Sequence, residues 1–155
     1  MVRLDDLPDD ERKHLLNKQM PALSPPVWNK PQKPISEMRV ALITTAGLHF
    51  RGEDAFMFAD ASFRPIPMEA NARDLVMSHS SVNFDRSGFA EDVNLVFPID
   101  RLKELAASSS IKSVADIHYS FMGAGLEPEG WEDSASQVAG LLKQDQVDAV
   151  FLTPV

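Results

Sequence analysis

Val40-Ala41-Leu42-Ile43 form a continuous apolar stretch, continued by Thr44 and Thr45 and closed by Gly47. A β-favouring run without polar alternation predicts a strand covered on both faces, as in parallel sheets. Leu75-Val76-Met77, between Asp74 and Ser78-His79, predicts a shorter strand of the same kind. Val147-Asp148-Ala149-Val150-Phe151-Leu152 reads as another buried strand. The segment from Val114 to Phe121 differs. Ala115, Ile117, Tyr119 and Phe121 alternate with Asp116, His118 and Ser120, which predicts a strand with one apolar and one polar face.

Two segments carry helical spacing instead. Pro98 opens the first, followed by Ile99, Leu102, Leu105 and Ala106 at intervals of three and four, with Asp100 in the first turn. Trp131 to Gln144 is the second, with Trp131, Ala135, Val138, Leu141 and Leu142 in one stripe, acids at its start and Lys143 at its end. Strands alternating with helices predict an α/β fold: a mostly parallel sheet with flanking helices, Rossmann- or flavodoxin-like.

The first 37 residues break this pattern. Six of the 11 prolines fall there. Asp9 to Met20 suits one short helix with acids in its first turn, stopped by Pro21. The prolines that follow impose an extended path. The expected organisation is a Pro-rich N-terminal arm over 1–37, laid across an α/β domain over 38–155 and pinned by Trp28. A mobile tail is the alternative.

Composition narrows the chemistry. The 155 residues include no cysteine, so within them disulfides, zinc–thiolate sites, iron–sulfur clusters and cysteine nucleophiles are excluded. Fifteen Lys and Arg against 23 Asp and Glu give a net charge of −8, which argues against nucleic acid or an anionic membrane as a partner. No apolar run approaches the roughly 18 residues of a membrane span, and no leader pattern precedes the domain. A soluble, cytoplasmic domain is the expectation.

In a parallel α/β sheet, ligands collect at the carboxyl ends of the strands. Thr44, Thr45, Gly47 and His49 follow the first strand, Ser78, His79 and Ser80 the second, and Thr153 the last, while His118, Tyr119 and Ser120 belong to the third. A single histidine reads first as a hydrogen-bonded structural residue. Three at one rim shift the reading toward proton transfer. No pair has i, i+4 spacing, so no metal site is assigned. There is no Gly-x-Ser-x-Gly elbow, and Gly123-Ala124-Gly125 lacks the rest of a phosphate loop.

Several segments taken in order carry a family resemblance. They are Arg39–His49, Ser62-Phe-Arg-Pro-Ile-Pro67, Ser78-His79, Glu91–Leu105 with its Asp92-x-Asn94 and Phe97-Pro98-x-Asp100, His118–Gly123, and Val147–Val155. Together they resemble the selenoprotein B family of the glycine, sarcosine and betaine reductases, most closely its short D-proline reductase branch, over about residues 36–155.

The resemblance implies a subunit of an oxidoreductase that reductively cleaves a C–N bond of a small amino acid or amine. In the family a selenolate attacks the α-carbon of a substrate whose amine is activated, usually on a pyruvoyl-bearing partner subunit. A cysteine thiol resolves the selenoether, and a dithiol or thioredoxin-type reductant restores the selenol. The strand matching Val147–Thr153 leads in the family into a selenocysteine-x-x-cysteine or Cys-x-x-Cys motif. Selenocysteine is therefore expected immediately after Val155, the reading frame having stopped at an in-frame UGA. The 155 residues alone are then inactive, hold no cofactor, and leave the last strand with an exposed apolar edge or face. His79 and His118 become the candidates for proton transfer or selenolate stabilisation. His49, Asp92, Asn94 and Asp100 are candidates for organising substrate and loop. Two other readings stay open: a non-catalytic α/β binding or partner subunit without the redox motif, and a small histidine-based hydrolase or metal enzyme.

Overall fold

The computed structural model describes residues 3–17, 29–81 and 86–155. The chain divides into two compact units, Met1–Pro31 and Gln32–Val155. In the first, helix α1 spans Asp9–Asn17, with Asp9, Asp10 and Glu11 in its first turn and no buried residue. The expected continuation to Met20 and the anchoring role of Trp28 lie outside the described residues.

The second unit is built on strand β1, Arg39–Thr44. Its side chains alternate between two cores. Val40 and Leu42 join a cluster with Phe97, Ile99, Leu102 and Val114. Ala41 and Ile43 face another formed with Tyr119, Phe121, Val138 and Leu142. This is why the segment carries no polar alternation: with a core on each side, neither set of alternate positions meets water.

After β1 the chain turns at Gly47, whose φ of +65° favours glycine. Strand β2, Leu48–Phe50, follows. Strand β3 spans Arg64–Pro67 and β4 Leu75–Met77. Helix α2, Ser87–Glu91, precedes a short 3-10 turn at Val93–Leu95 and helix α3, Ile99–Ala107. Strands β5, Ser113–Val114, and β6, Ile117–Ser120, come next. Helix α4, Glu132–Gln144, and strand β7, Ala149–Thr153, complete the order.

The sheet is mixed, not mostly parallel, and the described residues do not confirm a Rossmann fold. Strand β1 pairs in parallel with β7 over Val40–Thr44, with β5 at Arg39 and Val40, and with β6 at Ile43 and Thr44. Strand β3 runs antiparallel to β6, with Arg64 opposite Ser120 and Ile66 opposite His118. The sequence pattern leaves β3 unread because two of its four residues are proline. Their spacing suits an edge strand. The N–H groups of successive residues point to opposite sides, Met68 N–H bonds Asp116 O, and Pro65 and Pro67 occupy the positions facing away from β6. Strands β2 and β4 form a separate antiparallel pair, so the expected second parallel strand is absent from the main sheet.

Strand β7 is not buried as its apolar run predicts, and it shows the exposed apolar edge expected of the last strand. With β1 on one side, its other edge is unpaired among the described residues. Val150, Phe151 and Leu152 are exposed. Between β7 and α4 lies an open apolar groove of about 400 Å³ lined by Ile43, Phe121, Trp131, Val138 and Leu152. No helix among the described residues is long and apolar enough to cross a membrane.

Candidate functional site

The carboxyl ends of β1, β6 and β7 converge with the turn after β4. Gly47 N–H bonds Phe121 O at 2.8 Å, and Ser78 N–H bonds Gly47 O at 2.9 Å, so the turn after β1 ties the β4 end to the β6 end. A Cβ at Gly47 would stand 3.1 Å from His79 N, which adds close packing to the reason for glycine. Thr45 holds the segment after β7: Val155 N–H donates to Thr45 Oγ1 at 2.8 Å. Gly123 closes the other side, since a Cβ there would lie 2.8 Å from Val155 O and 2.9 Å from Thr45.

His79 is buried at this rim. Its Nδ1 accepts from Ser81 N–H at 3.2 Å, so in the neutral ring the hydrogen sits on Nε2. Burial, reinforced by the positive charge of Arg86, lowers its pKa, while a backbone hydrogen bond to Val155 opposes the shift. The ring is therefore neutral near neutral pH, beside the main chain of Val155. Arg86, which the sequence pattern did not single out, donates to His79 O and to Ser81 O and so braces the turn. Nothing in its spacing could have marked it; only the fold brings it back to residues 79–81.

His49, on β2, joins the same rim through Ser78. Its Nε2 lies 2.6 Å from Ser78 Oγ and its Nδ1 2.9 Å from Phe50 O. The ring is buried and meets Phe56 edge-on, with centroids 6.4 Å apart.

His118 is placed elsewhere. It lies inside the sheet with no exposed surface. Its Nδ1 accepts Leu42 N–H at 3.0 Å, and its ring meets the edge or face of Phe97 at 5.7 Å. Its Nε2 has no partner among the described residues. Burial pushes its pKa down to about 4, so the ring is neutral and held for packing and for one backbone bond. Ser120 acts similarly, accepting Leu48 N–H at 2.7 Å with no exposed surface. Two of the three residues of the expected polar face, His118 and Ser120, are thus turned inward, each satisfying a backbone N–H of a neighbouring strand, while Asp116 stays exposed beside Arg39.

Asp92, Asn94 and Asp100 form one network at the start of α3. Asp92 Oδ1 accepts Asn94 N–H at 2.8 Å and Asn94 Nδ2–H at 2.9 Å. Asn94 Nδ2 also donates to Asp100 Oδ2 at 2.9 Å, and Asn94 Oδ1 accepts Asp100 N–H at 3.0 Å. Hydrogen bonds from Asn94 lower the Asp92 pKa. The three residues bind one another and cap a helix, an arrangement that organises the loop. Among the described residues, no three His, Asp or Glu side chains group as a metal site requires.

Comparison with known proteins places the chain in a family. The glycine/sarcosine/betaine reductase selenoprotein B family matches residues 10–155. The chain is similar to D-proline reductase subunit gamma of Acetoanaerobium sticklandii, 39% identical over 136 residues, covering 86% of this chain and 55% of the relative. It is also similar to the glycine reductase complex component B subunit gamma of Symbiobacterium thermophilum, 28% identical over 138 residues and covering 86% of this chain but 32% of that one. The same-named subunit of Carboxydothermus hydrogenoformans matches to the same extent. The chain thus spans about half the length of the first relative and about a third of the other two. No solved structure matches. A match over residues 10–155 establishes that the chain belongs to the glycine/sarcosine/betaine reductase selenoprotein B family.

Proposed function

We propose that this chain forms the strand rim of a reductase subunit that cleaves a C–N bond of a small amino acid or amine by selenol or thiol chemistry. A dithiol restores the redox residue, and a pyruvoyl-bearing partner subunit activates the substrate amine. Family membership supports the reductase class. The observation that carries the assignment of place is the anchoring of Val155 between Thr45 and Gly123, beside His79. A selenocysteine or cysteine expected to follow Val155 starts from this point of the rim. The surroundings fit such a residue: His79 is neutral, its hydrogen sits on Nε2, and Arg86 adds a positive charge nearby. A nearby cation favours a selenolate or thiolate over its protonated form.

His79 is then the residue that stabilises the anion or moves a proton to the departing nitrogen. His118 supports the sheet behind it, and Asp92, Asn94 and Asp100 hold the loop. The test uses the full-length subunit, with whatever follows codon 155, assembled with its partner subunit. His79→Ala is expected to lower turnover about 100-fold, in line with the loss of one general acid–base group, with the unfolding transition retained. Unchanged turnover would remove His79 from the mechanism. A different stop codon with no coding sequence beyond it would remove the redox residue itself.

A further inference from the structure

The loop between β2 and β3 holds two large apolar side chains in water: Met57 is 73% exposed and Phe58 72%. Its hydrogen bonds keep them there. Asp60 N–H bonds Met57 O at 3.2 Å, Asp60 Oδ2 accepts Met57 N–H at 3.3 Å, and Asp60 Oδ1 accepts Ser62 N–H at 2.8 Å. Arg64 lies 3.9 Å from the same carboxylate, donates to Asp54 O and covers the Phe56 ring at 4.4 Å. Ala59 is held at φ +59°, a left-handed conformation that a residue with a Cβ keeps only where its surroundings enforce it. Those surroundings include the segment after β6, where a Cβ at Gly125 would stand 2.8 Å from Ala59 N and 2.9 Å from the Phe58 ring. Gly125 follows closely on Gly123, which packs against Val155 O, so the apolar tip stands at the rim.

Charge marks the same surface. From Gly52 to Phe63 and from Met122 to Leu142 there is no Lys or Arg, while Glu53, Asp54, Glu127, Glu129, Glu132 and Asp133 are exposed. Ser134 Oγ donates to Ala61 O and joins the two acidic segments beside the tip. We infer that the Met57–Phe58 tip docks the partner subunit that activates the substrate amine, entering an apolar pocket bordered by Lys and Arg. This rests on the reductase reading and adds the surface through which its two subunits meet. In that reading the redox residue follows Val155, the activating group sits on the partner, and one small substrate touches both. The partner therefore seats within a substrate's length of the rim, where the tip projects. A second copy of this chain fits poorly, because it would set acids against acids. A rigid apolar anchor supplies affinity at the centre of such a contact, and the charges around it supply orientation and association rate.

The test measures binding between the full-length subunit and the partner isolated from the assembled reductase, identified by its hydrazide-reactive carbonyl group. Phe58→Ser is expected to weaken binding at least about tenfold and Met57→Ser to act in the same direction, each with its thermal transition unchanged. Ile35→Ser, at a similarly exposed apolar residue just before β1, is expected to stay within about twofold. Reversing charge with Glu127→Lys and Glu129→Lys is expected to slow association about threefold or more at low salt, the difference fading at high salt. Binding by Phe58→Ser and Met57→Ser within about twofold of the unsubstituted subunit would overturn the inference. An equal loss in Ile35→Ser, association indifferent to the charge reversals, no binding between the two subunits, or a loss of self-association in place of partner binding would do the same. Turnover of the assembly is measured separately. Partner binding and turnover that ignore Phe58 refute this inference alone, and a Phe58-dependent complex without turnover refutes the reductase reading alone.

Discussion

Strands β1 and β7 lie side by side, run in the same direction and share a register from Val40–Ala149 to Thr44–Thr153. Their sequences are close in character, yet Leu42 has no exposed surface while Leu152 is 64% exposed. The contrast comes from their neighbours. Strand β1 has strands on both edges and a core on each face, drawn from α3 on one side and α4 on the other. Strand β7 has β1 on one edge, and α4 stops short of its outer residues, leaving the apolar groove. An apolar run reports what a segment needs; what covers it comes from elsewhere in the molecule.

Substitutions in the two strands would break this comparison if it were wrong. Leu42→Ala is expected to cost about 3–5 kcal/mol in a denaturant melt, because a fully enclosed side chain leaves a cavity. A loss below about 1 kcal/mol would mean that β1 is not the centre of the core.

The second test sharpens the division between rim and interior. The folded-state pKa of His118 lies at about 4, below its ordinary value of 6.5. The unfolded chain therefore takes up the proton first, and the stability that the neutral ring contributes is present above about pH 6.5 and lost as pH falls toward about 4. The loss approaches about 3 kcal/mol below that window. In His118→Asn, which keeps an acceptor for Leu42 N–H, the slope over this window should flatten. An unchanged slope would assign the acid sensitivity to other groups.

Asn94→Ala removes bonds that join Asp92 to the start of α3, and a loss of about 1–2 kcal/mol is expected, as for other lost caps. Equilibrium melts of Asn94→Ala and Asn94→Asp would show whether the side-chain donor or only the acceptor matters. The smallest effect belongs to β7. Leu152→Thr should change stability by no more than about 0.5 kcal/mol, because the side chain is largely in water already. It should reduce self-association of the 155-residue chain in sedimentation, since it interrupts an exposed apolar edge. A large loss of stability there would show that β7 is enclosed in solution.

How far the fold could be read in advance depended on where each signal came from. Helix α4 was legible because its stripe matches its period, with Val138 and Leu142 facing the core. Helix α3 was legible for the same reason, with Ile99 and Leu102 buried. Strand β3 was not, because Arg64-Pro65-Ile66-Pro67 is short and proline-rich, and only its pairing with β6 makes it a strand. The alternation around His118 gave the correct apolar face for Ile117, Tyr119 and Phe121. It missed that His118 and Ser120 of the polar face are also enclosed, since their partners come from Leu42 and Leu48, more than 70 residues away in sequence. At the rim, His49, Ser78 and His79 could each be named as polar residues near strand ends. Their joint geometry could not.

The order of residues determined where β1, α3 and α4 form, because periodicity and turn residues act locally, and it carried the segments that resemble the family. Tertiary structure alone decided strand direction, and which histidine is enclosed and which meets the rim. Each of those depends on a backbone group or a cover supplied from a distant segment: Leu42 N–H for His118, Phe50 O for His49, and Thr45 for Val155. Such pairings are long-range, and no local pattern of apolar and polar residues encodes them.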